Sequence, residues 1–187
     1  TADVTARVLE MLGECNLSLD DVWVQRAIAY LIKEQSADGS WFGRWGVNYI
    51  YGTSGVLAAL SLIAPIRYQT EINKGAAWLV SCQNADGGWG ETCASYDNQS
   101  LKGIGISTAS QTSWALIGIM AAMEGTTFAG QATVERGIEY LLNSQQSDGT
   151  WDEPQFTGTG FPCHFYLKYH LYQQYFPLQT LARYAKI

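Results

Sequence analysis

The chain has few basic residues, so it carries little positive charge with which to bind a polyanion. Of its 187 residues, 11 are Lys or Arg and 17 are Asp or Glu, which leaves a formal net charge of −6 at pH 7. Proteins that bind nucleic acid neutralise phosphates with a basic patch, and no such patch is visible in the sequence. We therefore exclude nucleic acid as a partner.

A long apolar run and a cysteine motif are also missing. The longest apolar stretch, 56–66, is too short and too polar to span a bilayer, which takes about 20 residues, and no charged-then-apolar targeting segment opens the chain. The four cysteines show no Cys-x-x-Cys spacing, which predicts reduced, mostly buried thiols in a reducing compartment; they are Cys15, Cys82, Cys93 and Cys163.

What the sequence does contain is one pattern repeated three times in register. Each copy begins with a basic residue and Gly or Ala, continues through an aromatic-Leu pair and a Gln, and ends in Asp-Gly-x-Trp; the copies are 26–41, 74–89 and 136–151. The aromatic residue and the Leu fall on one helical stripe, and Asp-Gly indicates a turn. Each copy is therefore predicted to form an amphipathic helix, a turn and a Trp that lies over the helix end, where the Gln amide satisfies free backbone groups.

Helices of a second kind are predicted between the copies. Segments 51–63 and 107–122 are apolar nearly all round, which implies burial on both faces, and residues 1–5 align with 108–112. A fourth such helix is expected near 161–172, where Phe161, Phe165, Tyr169 and Tyr172 have helical spacing. The predicted fold is all-α: about seven main helices, alternately outer and inner, in a partial (α/α)6 toroid. Because the chain begins with Thr1 in mid-repeat, we expect it to be part of a longer polypeptide.

Two segments that are not repeated, 41–53 and 158–172, are the candidates for function. The repeated residues Asp38, Asp86 and Asp148 are assigned to turns, whereas Trp45 and Tyr51 lie at the mouth of one inner helix. The aromatic residues of both segments fit either a plain core or a cavity wall. Rings that line a cavity stabilise a cation by about 0.5–2 kcal/mol each.

These residues resemble one enzyme family. The three Gln-to-Trp repeats are similar to the QW motifs of triterpene cyclases, and Ser-Trp-Phe-Gly-Arg-Trp-Gly-Val-Asn-Tyr at 40–49, Gly-Thr-Gly-Phe-Pro at 158–162 and Phe-Tyr-Leu at 165–167 resemble squalene-hopene cyclases. The resemblance implies two helical toroid domains and a cation cascade, without a cofactor or metal, that begins when an aspartic acid protonates squalene. It also implies peripheral contact of the full-length enzyme with the cytoplasmic side of a membrane, while this piece itself is expected to be soluble.

The resemblance assigns roles residue by residue. Trp45 and Tyr51 resemble cavity-wall aromatics, and Phe161 and Phe165 resemble the pair that stabilises ring cations. Tyr169 and Tyr172 resemble catalytic wall residues that shape the pocket and position the first rings, and Leu167 and Gly160 resemble substrate-binding positions. Asp3 and Arg7 match the stretch that packs behind the catalytic acid, where some relatives carry His; Arg7 stays charged, so it can hold a carboxylate but is a poor proton relay.

The acid motif of the family, Asp-x-Asp-Asp, is absent from the chain. Asp20 and Asp21 do not complete it, because Ser18 stands two positions before Asp20, and the pair is assigned to the start of an outer helix. The acid and the second toroid domain are therefore expected upstream of Thr1. Residues 1–187 are predicted to be the carboxy-terminal part of the catalytic barrel domain, inactive alone, with squalene and the missing amino-terminal part as partners.

Two other functions remain open on the sequence alone. A protein prenyltransferase β-subunit has a similar toroid with zinc, for which Cys163, His164 and His170 are the nearby candidates, although adjacent residues on a helix point apart. A carbohydrate-binding or scaffold module would expose Trp41, Trp89 and Trp151 on a binding face.

Overall fold

A computed structural model describes residues 1–15 and 19–186, and within them the chain is helical as predicted. The seven α-helices are α1 (Ala2–Glu14), α2 (Val22–Glu34), α3 (Tyr49–Ile63), α4 (Gln69–Ser81), α5 (Ala109–Gly125), α6 (Gln131–Ser144) and α7 (Tyr172–Tyr184). A two-stranded antiparallel sheet joins β1 (Gly158–Phe161) to β2 (Phe165–Leu167), and 3-10 helices cover Cys93–Tyr96 and Gln99–Leu101. Among the described residues we find no helix with the length and hydropathy of a membrane span.

The helices form two layers of an arc. Helices α1, α3, α5 and α7 pack side by side in that order as the inner row, and α2, α4 and α6 each pack outside the preceding inner helix. Helix α5 is buried throughout Ala109–Ala122, and α3 is buried throughout Tyr49–Ser61 except at Tyr51. The apolar composition of these two helices follows from contact on both faces. The predicted partial toroid of outer and inner helices is confirmed.

The position predicted for the fourth inner helix was wrong. That helix is Tyr172–Tyr184, whereas Phe161, Phe165 and Tyr169 lie on the β-hairpin and the turn after it. Pro162 explains the difference, because the residue before a proline is driven out of the α conformation. Cys163 then adopts a left-handed backbone with φ of 67° at the hairpin turn. The aromatic spacing that suggested a helical stripe is therefore distributed over two strands and a helix start.

Each repeated Trp joins an outer helix to the following inner helix. Its indole N–H donates to the carbonyl of the Leu ten residues earlier, over 2.6 Å from Trp41 to Leu31, 2.7 Å from Trp89 to Leu79 and 2.9 Å from Trp151 to Leu141. The three indoles are at most 2% exposed. This confirms the predicted Trp clasp, and it contradicts the carbohydrate-binding alternative, which required exposed indoles.

The repeated Gln links one copy to the next. The Nε2 of Gln35 donates to Gly39 O in its own turn and, over 3.0 Å, to Glu71 O in α4. Gln83 repeats this with Gly87 O and, over 2.9 Å, with Thr133 O in α6. The prediction placed the Gln amide at the end of its own helix; the structure shows that it also satisfies a carbonyl in the first turn of the next outer helix.

Other predictions for polar residues had mixed outcomes. Asp38, Asp86 and Asp148 each accept a backbone N–H two residues later over 3.0 Å, which confirms their turn role. Asp21 caps α2 by accepting from Trp23 N at 2.8 Å, while Ser18 lies outside the described residues.

The prediction that most cysteines are buried was wrong, because Cys15 and Cys163 are exposed. All four thiols are free, as predicted.

Two of the turn glycines lie against the backbone of the residue that opens the next copy. Gly39 and Gly87 have φ of 99° and 87°, in the left-handed region. A Cβ at either would lie 2.5 Å from the backbone carbonyl oxygen of the basic residue that opens the next copy, Lys74 or Arg136. Gly149 has the same φ of 87°, but a Cβ there would meet only Gln145 Nε2 at 4.0 Å. Two of the three turns therefore press against the next copy.

This pair of glycines allows a matched stability test. We expect Gly87→Ala to lose about 1–3 kcal/mol more unfolding free energy than Gly149→Ala, because only the first places a methyl group against a backbone oxygen. Both variants share the left-handed strain of about 1–2 kcal/mol. Urea unfolding followed by circular dichroism measures the difference. Equal losses would show that the contact with the next copy carries no weight.

Candidate active site

The candidate residues gather at one end of the inner row, where the loops enter the inner helices. Trp45 lies in the loop between Trp41 and α3, and Tyr51 is in the first turn of α3. Backbone bonds join that loop to the hairpin, since Val47 N donates to Thr157 O at 3.1 Å and Thr159 N donates to Trp45 O at 3.0 Å. The two segments that the repeat pattern left unexplained therefore form one structural unit.

The hairpin places Phe161 and Phe165 opposite each other. They are cross-strand partners with ring centroids 5.6 Å apart, and they are 60% and 45% exposed. Because side chains alternate along a strand, Leu167 shares the face of Phe165, whereas Tyr166 points to the other face and contacts Phe156 and Tyr96. Gly160 has no room for a side chain, since a Cβ would lie 2.4 Å from Phe165 Cζ.

A continuous chain of rings runs across the inner helices. The ring centroid of Tyr51 is 4.8 Å from that of Trp114, which is 5.9 Å from Tyr172, which stacks on Tyr169 at 4.8 Å. Sequence analysis missed Trp114, a fully buried residue of α5, and Tyr175, which lies 5.6 Å from Tyr172 and is 43% exposed. The signal that could have identified Tyr175 was its position three residues after Tyr172 on α7.

The rings border two open grooves. One of about 280 Å³ is lined by Asp3, Arg7, Trp45, Tyr51 and an apolar stripe of α1. Another of about 360 Å³ is lined by Lys168, Tyr169, His170, Leu171, Tyr172 and Tyr175. Gly158 lies between them, since a Cβ there would be 2.6 Å from Trp45 O and 2.8 Å from the Tyr169 ring. Trp45 lines the first groove and Tyr169 the second, whereas Phe161 and Phe165 line neither. The joint contact of these rings with one substrate stays a prediction.

Asp3 and Arg7 hold the α1 side of this region. The Asp3 carboxylate is buried and accepts from Val4 N at 2.9 Å and from Trp45 N at 2.7 Å, so it fixes the Trp45 backbone. The Arg7 guanidinium pairs with Glu10 at 2.8 Å and lies 5.5 Å from the Tyr51 ring centroid. Although burial opposes the charge, Glu10 and Tyr51 raise the pKa of Arg7 above its usual value. The predicted permanent charge at this position is supported.

Comparison with known proteins identifies the scaffold. The sequence profile of the squalene-hopene cyclase C-terminal domain matches residues 1–186. The chain belongs to the squalene-hopene cyclase family. It is 48% identical to squalene-hopene cyclases of Zymomonas mobilis and Alicyclobacillus acidocaldarius, and 51% identical to a dammaradiene synthase of Dryopteris crassirhizoma, over at least 98% of this chain. It spans only 28–30% of the length of these relatives.

A solved structure supports the toroid. An ent-copalyl diphosphate synthase from Streptomyces platensis superimposes with a TM-score of 0.73 at 20% identity, over 97% of this chain and 33% of that chain. At this identity the likeness concerns the fold alone. Within the described part of the chain no group of three or more His, Cys, Asp or Glu is arranged to hold a metal ion. The family match, rather than this finding, sets the prenyltransferase alternative aside.

Two buried carboxylates in this family member were also missed by sequence analysis. Glu91 and Glu153 each follow a repeated Trp by two residues, while the first copy has Gly43 there. Glu91 accepts from Ile50 N at 2.9 Å and Asn48 N at 3.3 Å at the start of α3; Glu153 accepts from Ser110 N at 2.9 Å at the start of α5. Burial raises the pKa of both carboxyls, against these hydrogen bonds.

The raised pKa of Glu91 predicts a dependence of stability on pH. Above the ordinary value of 4.5 the unfolded chain has lost a proton that the folded chain keeps, so stability falls as pH rises until the folded-state pKa is passed. We expect Glu91→Gln, which stays neutral, to flatten this fall. Urea unfolding at several pH values from 4.5 upward measures it, with Glu139→Gln on the exposed face of α6 as control. A wild-type slope retained in Glu91→Gln would contradict the assignment.

Proposed function

We propose that the chain is the carboxy-terminal part of the catalytic barrel of a terpene cyclase, which converts squalene to hopene-type pentacyclic triterpenes through a proton-initiated cation cascade. The observation that carries the proposal is the aromatic array on the hairpin and the inner helices. It belongs to a chain that matches the squalene-hopene cyclase C-terminal domain over residues 1–186. The relatives from Zymomonas mobilis and Alicyclobacillus acidocaldarius are named for squalene, their substrate.

The array suits a reaction in which positive charge moves through an apolar substrate. The rings of Phe161 and Phe165 have centroids 5.6 Å apart, and neither ring carries a group that attacks a cation. Each face stabilises a nearby cation by about 0.5–2 kcal/mol once water is excluded. Tyr169, Tyr172 and Leu167 then shape the wall beside them. In this proposal the rings lower successive cation barriers without any covalent bond to the protein.

The initiating acid comes from outside these residues. Asp3 is occupied by backbone N–H groups, and Arg7 holds a fixed charge that suits a carboxylate presented by another segment. We propose that the amino-terminal remainder and a second toroid domain supply this acid and the rest of the cavity. Contact with the cytoplasmic side of a membrane belongs to the full-length enzyme, and residues 1–187 alone are inactive toward squalene.

A dammaradiene-type product is the second candidate. The dammaradiene synthase of Dryopteris crassirhizoma is 51% identical to this chain, which is close to the value for the squalene-hopene cyclases. Because the two identities are close, the products made with this segment have to distinguish the two candidates.

A chimaera tests both candidates. Residues 1–187 would replace the matching segment of the Zymomonas mobilis cyclase, and squalene products would be identified by gas chromatography and mass spectrometry. We expect hopene-type products from the chimaera and none from residues 1–187 alone. Dammaradiene as the main product would favour the second candidate, turnover by residues 1–187 alone would refute the upstream acid, and a folded but inactive chimaera would oppose the proposal.

A ring-removal pair tests the wall. Phe165→Ala in the chimaera should lower kcat about 2- to 30-fold, since one cation–π contact of about 0.5–2 kcal/mol is lost, and should release incompletely cyclised products. Phe156→Ala is the control: this ring is 51% exposed, close to the 45% of Phe165, but contacts Tyr166 on the opposite face of the hairpin. Equal effects of the two substitutions would remove Phe165 from the wall.

A further inference from the structure

Arg44, in segment 41–53, contacts segment 158–172 in a way that no role assigned above explains. It directly precedes Trp45, and its guanidinium carbon lies 4.1 Å from the centroid of the Trp45 ring. Its two terminal nitrogens lie 3.4 and 3.5 Å from the carbonyl oxygen of Gly160, 116 residues along the chain. None of the ion pairs between described residues includes Arg44. Arg44 therefore directs its hydrogen-bond donors to the hairpin and stacks its flat face on the Trp45 indole.

The backbone hydrogen bonds that join the hairpin to the Trp45 loop end before Phe161 and Phe165 at the hairpin tip. Bonds between the loop and the hairpin involve Val47 with Thr157 and Trp45 with Thr159, and the strand pairing is irregular between Thr159 and Phe161. Gly160 lies at that irregularity, with the Phe165 ring on the side where a Cβ would stand. The Arg44 guanidinium reaches the Gly160 carbonyl, so it continues the attachment one residue before Phe161.

We propose that Arg44 is a positioning residue: it fixes the tip of the β1–β2 hairpin to the Trp45 loop and thereby sets where the rings of Phe161 and Phe165 stand. A guanidinium suits this task because it is planar, presents several donors in a fixed fork and stacks on an aromatic face. An ammonium group keeps the charge but loses the plane and the fork.

The same contact changes what Trp45 contributes. A cation on the free face of the indole would be repelled by the guanidinium on the other face, since both carry positive charge. This repulsion opposes the attraction that a free ring provides. Trp45 therefore acts as a shaped wall, and the stabilisation of cations falls to Phe161 and Phe165. This second step rests on the proposed function, whereas the attachment of the hairpin does not.

The first experiment uses the 187-residue chain. Amide hydrogen exchange by NMR reports Thr159, whose N–H donates to Trp45 O, and His164, whose N–H donates to Phe161 O at 3.0 Å. In Arg44→Met and in Arg44→Lys we expect exchange at both amides to rise at least about tenfold, while Thr108, bonded to Trp89 O, is unchanged. Arg26→Met is the matched control, because Arg26 stacks 5.4 Å from the Trp23 centroid on outer helix α2. Unchanged exchange at Thr159 and His164 in Arg44→Met would overturn the proposal, and so would full protection in Arg44→Lys.

The second experiment places the same substitutions in the chimaera. Arg44→Met and Arg44→Lys should raise the fraction of incompletely cyclised products severalfold and leave KM for squalene within twofold, because the displaced rings act on cations that form after squalene has bound. A wild-type product ratio in Arg44→Met would overturn the catalytic step. Faster hairpin exchange in the 187-residue chain together with an inactive wild-type chimaera would leave the positioning role standing and refute the proposed function instead.

Discussion

The hydrogen bond from an indole N–H to the carbonyl of a helix end is the interaction on which the arc depends. In each copy it fixes a fully buried Trp across the end of an outer helix, and in the first two copies the Trp backbone N–H is taken up by a Thr hydroxyl of the following inner helix, Thr53 or Thr112. A buried N–H is costly without a partner, and the helix-end carbonyl supplies that partner in all three copies. The indole volume then fills the space between the layers, and the loops that follow begin from a defined point.

The aromatic loop and hairpin proposed as the substrate wall are attached to this frame through polar contacts. Asp3, buried in α1, fixes the backbone of Trp45, and Trp45 in turn accepts from the hairpin at Thr159. The half-exposed rings therefore stand on backbone that is tied to the inner helices. Glu91 and Glu153 serve the frame in a related way, since each places a carboxyl group at the first N–H groups of an inner helix.

The periodic part of the fold was predictable from the sequence because each periodic residue acts locally. The aromatic-Leu stripe, the Asp-Gly turn and the Trp are determined within sixteen residues, and the structure confirms them. The hairpin was not predictable from ring spacing, because Phe161, Phe165 and Tyr169 fit a helical period as well as two strands and a turn; Pro162 was the local signal against a helix. Long-range contacts, such as Gln35 with Glu71 and Arg44 with Gly160, have no counterpart in any short stretch of sequence.

The spacing between copies has an evolutionary consequence. The second and third copies lie further apart than the first and second, and the additional residues are accommodated in the segment that carries the two 3-10 helices, Cys93–Tyr96 and Gln99–Leu101. Adjacent copies are coupled through Gln and Gly contacts that this segment does not interrupt. The frame behaves as a linear array of coupled units, so its connecting loops are free to change length and chemistry while the array keeps its shape. Diversification of reaction outcome on this scaffold therefore has a natural location in the loops.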